Sequence, residues 1–392
     1  MNSSTTYVGM DTAKKSIQVA MLLPERDKPI EWEETNDARG IKRLKRKLGR
    51  EAVGALRVCY EAGPCGYVLQ RDLRAAGIDC IVIAPSLVPV KPGERIKTNR
   101  RDAKKLAQQF RAGTLTEVHP PTPEEEGVRD LCRCREDIRE DLMRARHRLG
   151  KLLLRRGLTF PGKAWTDAHR RWLKKLAFEG EADRAVFDDY LRAVEHLEDR
   201  LATLGHKLEQ IAQQERWAEP VGWLRCYRGI DTVTALSIVA EIHGFSRFSS
   251  ARHLMSYLGL VPSENSTGEK HRRGDITRSG NSHVRRLLIE AAWHYRHQPA
   301  IGLKLRKRRE DQPGWVIAAA DKAQARLHRR YWKLVLGGKA HNTAVTALAR
   351  ELAGFIWATL YPRELVAPVQ VSAPDLAAEA GAKSRSALRR RR

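Results

Sequence analysis

Short apolar runs separated by turns characterise the first part of the chain. The candidate strands are Tyr7–Met10, Ser16–Leu22, Leu56–Tyr60 and Cys80–Ala84. A helical run, Gly66–Ala76, lies between the last two strands. Two close strands, a wider gap and then strand, helix, strand are typical of a hairpin that leads into parallel β-α-β units. We therefore predict an α/β domain over residues 1–120.

Long, charged segments with helical periodicity follow from residue 124. The segments Glu124–Arg156 and Asp188–Gln214 flank a Trp-containing break, Phe160–Trp172. Apolar residues of the second segment follow the 3-4-3-4-3 spacing of a coiled-coil seam: Val194, Leu197, Leu201, Leu204, Leu208 and Ile211. We predict a helical coiled-coil region over residues 121–223. The pattern fits a hairpin within one chain and an arm that pairs two chains equally well.

A third region opens at Pro220–Gly222 and is predicted to be mainly helical over residues 224–362. It combines an apolar helix, Leu236–Ile242, with Gly-rich turns and then basic helices. Residues 363–392 are rich in Ala, Pro and Ser and end in four arginines. This composition predicts a disordered basic tail.

The charge of the chain narrows the class of partner. The 392 residues include 72 Lys and Arg against 47 Asp and Glu, a formal net charge of +25, and residues 269–309 hold 12 of these bases against 3 acids. Such a surplus needs a polyanion, either nucleic acid or an anionic membrane surface.

Apolar runs and cysteine spacing bear on where the protein works. The sequence has no long apolar run typical of a signal peptide or a membrane span. Its six cysteines are scattered and contain no CxxC pair, which favours reduced thiols over a disulfide framework or a zinc site. We expect a cytoplasmic protein that does not act at a membrane.

Carboxylates follow two candidate strands and precede one helix. Asp11 ends the first strand, Glu61 ends a later one, and Asp102 comes directly before the helical run Ala103–Arg111. Neighbouring strands lie about 4.8 Å apart, so acids at their ends are placed to share hard metal ions in phosphoryl transfer. Each acid alone is also ordinary at such a position. A Gly-x-Asp strand before a Lys-rich turn also occurs in actin-like ATPases, but no convincing Gly-rich phosphate loop follows.

Hydroxyl groups and arginines are concentrated in one later segment. Ser266-Thr267-Gly268 lies close to Arg272 and Arg273, an arrangement in which a hydroxyl attacks a DNA phosphate while arginines stabilise the developing charge. A solvated loop is the alternative. Arg278, Arg285 and Arg286 flank or follow Gly280-Asn281, the start of a predicted helix whose basic face suits a nucleic-acid backbone.

These motifs, taken in order, resemble the transposases of the insertion-sequence 110/1111 family, the DEDD transposases of mobile elements. The resemblance rests on Tyr7–Lys14, Tyr60–Tyr67, Lys97–Ala103 and the block Arg228–Trp293. It implies a ribonuclease H-like N-terminal domain of the Holliday-junction-resolvase type. It also implies a coiled-coil connection and a C-terminal transposase domain.

The resemblance also implies roles for individual residues. Asp11, Glu61 and Asp102 correspond to Mg²⁺-binding acids, and Asn99 stands where the family usually has a further Asp. An Asn can offer a carbonyl oxygen to Mg²⁺ but brings no charge. Ser266 corresponds to the nucleophile that forms a covalent phosphoserine with DNA; counted strictly back from Gly268, Thr267 takes that place.

The implied function is cleavage and rejoining of DNA strands to excise and insert a mobile element. The implied partners are donor and target DNA, a non-coding bridge RNA, and further copies of the chain in a dimer or tetramer. Two other functions are compatible with the residues alone: a metal-only nuclease resembling a junction resolvase, and a non-catalytic nucleic-acid-binding protein.

Overall fold

The computed structural model of the chain describes residues 4–89, 98–265, 267 and 272–361. The chain divides into two compact units, Met1–Glu126 and Gly127–Arg392. The predicted basic tail, residues 363–392, lies outside the described residues.

The first unit is built on a mixed six-stranded sheet in the order β3-β2-β1-β4-β5-β6. Its elements are β1 (Thr5–Thr12), β2 (Ser16–Leu22), β3 (Ile30–Thr35), α1 (Ala38–Glu51), β4 (Ala55–Glu61), α2 (Val68–Ala75), β5 (Asp79–Ile83), α3 (Asn99–Arg111) and β6 (Glu117–Val118). Strands β1 and β2 are antiparallel, whereas β1, β4 and β5 are parallel. The predicted hairpin leading into parallel strands is therefore confirmed.

Alternating side chains give this sheet two apolar faces, each covered by helices. One face packs with α1 and α2 through the buried residues Val8, Met10, Val58, Tyr60, Leu44, Leu48, Leu69 and Leu73. The other face packs with α3 through Cys59, Ile81, Ile83, Leu106 and Phe110. The unit is thus a three-layer structure, and the predicted α/β class is confirmed.

Helix α3 lies unusually close to β1 at Gly9. A Cβ atom on Gly9 would come within 2.3 Å of the Ala107 backbone nitrogen and 2.4 Å of the Ala103 carbonyl oxygen. Further back along the strand, the rings of Tyr7 and Phe110 have centroids 5.3 Å apart. Helix α3 therefore runs antiparallel to β1, and its first turn lies beside the end of that strand.

The second unit is mainly helical, in agreement with the prediction. Helix α4 (Pro123–Arg155) enters it and is followed by α5 (Asp167–Lys175), α6 (Glu181–Ile211), α7 (Glu215–Leu224), α8 (Thr232–Ile242), α9 (Ala251–Tyr257), β7 (Pro262–Glu264), β8 (Arg273–Ile276), α10 (Ser282–Ala292), α11 (Leu303–Arg309), α12 (Gly314–Leu336) and α13 (His341–Leu360). Buried residues of α8, α10, α12 and α13 form its largest apolar core. No helix in the described part of the chain is long and apolar enough to cross a membrane.

Helices α4 and α6 pack antiparallel within one chain. Leu149 shares an apolar cluster with Phe187, and Leu142 shares another with Val194. Arg146 of α4 also pairs with Glu198 of α6 at 2.6 Å. The hairpin alternative of the sequence analysis thus accounts for the part of the predicted seam at Val194, Leu197 and Leu201. A coiled coil, within one chain or between chains, stays a prediction.

The close contact at Gly9 predicts that a side chain at this position lowers the stability of the first unit. Replacing Gly9 with Ala forces α3 away from β1, and we expect the free energy of unfolding to fall by about 1–3 kcal/mol, the usual cost of overpacking. The matched control is Gly49, which is exposed in α1 and where an added Cβ would have no neighbouring atom within 4 Å. Gly49→Ala should raise stability by about 0.5–1 kcal/mol. Denaturant unfolding measures both, and equal midpoints for Gly9→Ala and wild type would contradict the contact.

Candidate functional site

Asp11 and Glu61 occupy equivalent positions on neighbouring parallel strands. Met10 of β1 is in register with Tyr60 of β4, so the next residue on each strand is an acid. Gly9 faces α3, as does Cys59, whose Sγ lies 4.0 Å from the Leu106 carbonyl oxygen. Because alternate residues of a strand point to the same face, Asp11 and Glu61 also lie on the α3 side of the sheet.

Asp102 lies at the same edge, in the first turn of α3. The sequence analysis placed Asp102 before a helix beginning at Ala103, and this was wrong: the helix begins at Asn99. Thr98 caps it, since its Oγ1 accepts a hydrogen bond from the Arg101 backbone nitrogen at 3.3 Å. Asn99 and Asp102, three residues apart, consequently share a helix face. Asp11, Glu61 and Asp102 are hereafter the carboxylate edge.

The segment after β4 folds back against the end of β1. The Cys65 thiol lies 3.7 Å from the Thr12 carbonyl oxygen, and Asn36 donates a hydrogen bond to the Ala13 carbonyl oxygen at 2.8 Å. The Tyr60 hydroxyl donates to the Gly66 carbonyl oxygen at 3.0 Å. These contacts hold the surroundings of Glu61 in place.

The carboxylate edge offers the type of ligand atom that a hard divalent cation prefers. All three acids are half-buried and supply only oxygen ligands, which Mg²⁺ and similar ions prefer. Within the described residues, however, no three His, Cys, Asp or Glu side chains converge closely enough to hold a metal ion. The fold brings the acids to one edge and one face, and their coordination of a metal stays a prediction.

The hairpin β7–β8 carries the segment with the candidate nucleophiles. Pro262 pairs with Ile276, and the Asn265 backbone nitrogen donates to the Arg272 carbonyl oxygen at 2.9 Å. Ser266 lies outside the described residues, whereas Thr267 is described and exposed. The Ser263 hydroxyl donates to the Asp275 carbonyl oxygen at 3.0 Å.

Two glycines set the base of this hairpin. A Cβ on Gly280 would lie 1.8 Å from the Tyr257 carbonyl oxygen, and one on Gly259 would lie 2.2 Å from the Ser279 carbonyl oxygen. Both also have positive φ, +71° and +61°. Only glycine allows the two backbone segments this approach.

Some of the arginines predicted to contact nucleic acid have partners within the chain. Arg285 donates to the carbonyl oxygens of Leu258 and Ser279, at 2.8 and 3.0 Å, and burial lowers its pKa. Arg286 pairs with Glu136 at 3.0 Å and with Glu290 at 2.7 Å.

The other predicted arginines lie on or next to β8. Arg272 and Arg278 are exposed, Arg278 forms a surface ion pair with Asp275 at 3.8 Å, and Arg273 is the first residue of β8. Asp275 and Arg278 line a recess of about 340 Å³ together with Asn342, Thr343, Thr346 and Arg350 of α13. The arginines, threonines and asparagine of this hairpin recess are groups that bind phosphate, whereas Asp275 repels it.

Glu241 is a buried acid that sequence reasoning missed. Its carboxylate accepts two hydrogen bonds from Arg133, at 2.6 and 3.0 Å, and one from the Asn281 side chain at 2.7 Å. Asn281 in turn caps α10 by accepting from the Val284 backbone nitrogen at 2.9 Å. Burial raises the pKa of Glu241, but these hydrogen bonds outweigh it and hold the pKa below its ordinary value. In the sequence, Glu241 is marked only as a single acid within the apolar helical run Leu236–Ile242.

Two protein families match different parts of the chain. An IS110-type DEDD transposase family matches residues 8–156, and the family described as "Transposase IS116/IS110/IS902 family" matches residues 223–304. The first match covers the carboxylate edge and supports the ribonuclease H-like prediction for the N-terminal part. The second covers the hairpin and Glu241.

Individual relatives extend the similarity over most of the chain. A putative transposase, y4qE, of Sinorhizobium fredii is 40% identical over 356 residues, covering 90% of this chain and 87% of its own length. The transposase for insertion sequence element IS1533 of Leptospira borgpetersenii is 36% identical, covering 84% of this chain and 96% of its own length. The transposase for IS1111A of Coxiella burnetii is 24% identical, with 91% and 90% covered.

The ion pair at Glu241 predicts a pH-dependent stability. Glu241→Gln removes the charge that Arg133 neutralises, and we expect a loss of about 1.5–3 kcal/mol at neutral pH. Because the pKa is lowered in the folded protein, this stabilisation is complete above the ordinary pKa and is lost as the pH falls through the folded value. The difference in Tm between wild type and Glu241→Gln should therefore shrink in acid.

The matched control is Glu290→Gln, which removes an exposed acid paired with Arg286 on the same helix. A surface pair of this kind contributes little, and we expect a change within about 0.5 kcal/mol. A Glu241→Gln loss as small as that of the control, or one independent of pH, would contradict the role assigned to Glu241.

Proposed function

The chain belongs to the IS116/IS110/IS902 family of transposases, which are DNA-cleaving and rejoining enzymes, and we propose a mechanism for its part in transposition. Ser266, which lies between β7 and β8 in the sequence, attacks DNA; the carboxylate edge binds a divalent metal ion, and a non-coding RNA guides the choice of DNA. The observation that carries the proposal is the carboxylate edge. Asp11 and Glu61 lie at one end and on one face of the sheet, and Asp102 lies in the first turn of the helix that packs on that face.

Asp11, Glu61 and Asp102 are the residues that would hold the metal. DEDD transposase domains typically use divalent metal ions, and we propose Mg²⁺ on the basis of the oxygen-only donor set. When bound, the metal supplies positive charge to phosphate oxygens during strand cleavage. Asn99, on the same face of α3 as Asp102, would add a neutral oxygen where family members usually have an acid.

The chemical step assigned to Ser266 is a transesterification. Its Oγ forms a bond to a backbone phosphorus while one ester bond from that phosphorus to deoxyribose breaks. The serine proton goes to the departing deoxyribose oxygen, which becomes a free hydroxyl. Rejoining is the reverse reaction with a hydroxyl from another strand end, so the number of phosphoester bonds is conserved and no ATP is needed.

Arginines around the hairpin supply charge for this step. Arg272, Arg273 and Arg278 lie on or beside β8, and Arg278 also lines the hairpin recess. We assign them to phosphates of the DNA strand. Arg285 and Arg286 act differently, because their intrachain contacts make them supports for the hairpin and for α10.

RNA guidance and oligomerisation complete the proposal. A chain with net charge +25 is able to neutralise more than one nucleic acid at a time, which fits simultaneous binding of a bridge RNA with donor and target DNA. The α6 residues Leu197 and Leu201 are only partly buried by α4. We assign this remaining apolar surface to pairing between copies in a dimer or tetramer.

The nucleophile assignment is tested by serine replacement. Ser266→Ala should reduce formation of the circular junction of abutted element ends by on the order of 10³-fold or more, because the attacking oxygen is lost. The readout is amplification across that junction in a bacterial host carrying the gene with its native flanking DNA. Ser263→Ala is the matched control, since Ser263 lies three residues before Ser266 in the sequence and its hydroxyl donates to a backbone carbonyl.

The other outcomes discriminate between mechanisms. Loss of the junction with Thr267→Ala but not with Ser266→Ala assigns the nucleophile to Thr267. DNA cleavage that survives both replacements but not Asp11→Asn indicates a metal-only nuclease. DNA binding without cleavage by any variant or by wild type indicates a non-catalytic binding protein.

The metal assignment is tested at Asn99 and Asp11. Asn99→Asp should lower the Mg²⁺ concentration needed for half-maximal cleavage, because a fourth carboxylate increases the attraction for a cation. Asp11→Asn should raise it strongly or abolish cleavage. The control is Asp79→Asn. Asp79 is the first residue of β5, at the end of the parallel strands opposite to the carboxylate edge, and it pairs with Arg57. An Asn99→Asp variant with an unchanged Mg²⁺ requirement would place the metal elsewhere.

A further inference from the structure

Four basic side chains line a second recess, on α12, which the proposed mechanism does not use. Arg326, Arg329, Arg330 and Lys333 form its wall together with Glu351 of α13, and its volume is about 360 Å³. This arginine recess lies outside the basic stretch 269–309.

Most of the positive charge in the arginine recess is uncompensated by the described residues. Glu351 pairs with Arg326 at 2.9 Å and with Arg330 at 3.3 Å. Arg329 and Lys333 are exposed and form no salt bridge with any residue in the described ranges. Four cations and one acid leave a formal charge of +3 around a single concavity.

The spacing of these cations suits a chain of phosphates. Arg326, Arg329, Arg330 and Lys333 lie at i, i+3, i+4 and i+7, on one face of the helix. Arg329 and Lys333 are about 6 Å apart along the helix axis, so their charges lie in a row rather than around a point. Guanidinium groups bind phosphate oxygens in a forked geometry.

We propose that the arginine recess binds the phosphodiester backbone of a nucleic-acid strand, at a site separate from the β7–β8 hairpin. Arg329 and Lys333 make the contacts, and Glu351 orients Arg326 and Arg330 and moderates their charge. The two recesses border α13 at different positions around its axis: Arg350 lines the hairpin recess, and the next residue, Glu351, about 100° further around the helix, lines the arginine recess.

The test measures binding as a function of salt with the full-length chain. The probes are one labelled mixed sequence prepared as DNA duplex, single-stranded DNA and single-stranded RNA, in the presence of a chelator that prevents metal-dependent cleavage. The double variant Arg329→Gln with Lys333→Gln should bind more weakly and flatten the slope of log affinity against log salt by about 1.4–1.8, the value for two lost phosphate contacts. The control double variant is Arg192→Gln with Arg200→Gln, two exposed arginines on α6.

A second variant changes the binding in the opposite direction. Glu351→Gln releases Arg326 and Arg330 from their ion pairs, and we expect it to raise affinity and steepen the salt slope. Thermal unfolding of each variant verifies that it is folded.

The three probes distinguish the source of the phosphates. If the double variant binds only the DNA duplex more weakly, the recess binds DNA. If it binds only the RNA more weakly, the recess binds RNA. Weaker binding of all three probes means that the recess accepts any strand. An unchanged slope on every probe, or an equal loss in the control variant, overturns the proposal. Because no cleavage occurs in this assay, failure of the serine mechanism leaves its result unaffected.

Discussion

The contact between Gly9 and helix α3 determines the geometry of the carboxylate edge. With no side chain at Gly9, the backbone at Ala103 and Ala107 lies directly on β1. The direction of α3 then places its first turn, with Asp102, beside the end of the strand that carries Asp11. A strand acid and a helix acid separated by about ninety residues are thus brought to one end of the sheet by the absence of a side chain at Gly9.

In the second unit, too, glycines allow a close backbone contact that fixes the position of a candidate site. Gly259 and Gly280 let two backbone segments touch at the base of the β7–β8 hairpin, and Arg285 bridges the carbonyl oxygens on both sides. Buried Glu241 then ties the cap of α10 to Arg133 of α4. A buried charge is costly unless fully paired, and the complete pairing of Glu241 allows it to fix these helices relative to one another.

Sequence patterns predicted the parts of the fold in which apolar residues dominate. The central strands and the hairpin followed from apolar runs, and the acids at their ends followed with them. Strand β3, at the edge of the sheet, was missed because its sequence, Ile30–Thr35, is mostly polar and half-exposed. Helix α1 was missed because Lys and Arg surround its buried Leu44 and Leu48. The early start of α3 depends on the Thr98 cap, and Glu241 depends on partners distant in sequence; neither leaves a periodic signal.

The arginines show most clearly why composition predicts the class of partner but not the binding surface. Arg285 and Arg286 belong to the most basic stretch of the sequence. Within the chain, however, Arg285 donates hydrogen bonds to backbone carbonyl oxygens and Arg286 forms an ion pair with Glu136. Arg329 and Lys333 lie outside that stretch and are exposed without a salt bridge among the described residues. Net charge sets the attraction of the whole chain for a polyanion. Where the polyanion binds is decided by which cations folding leaves unpaired, and that requires the three-dimensional structure.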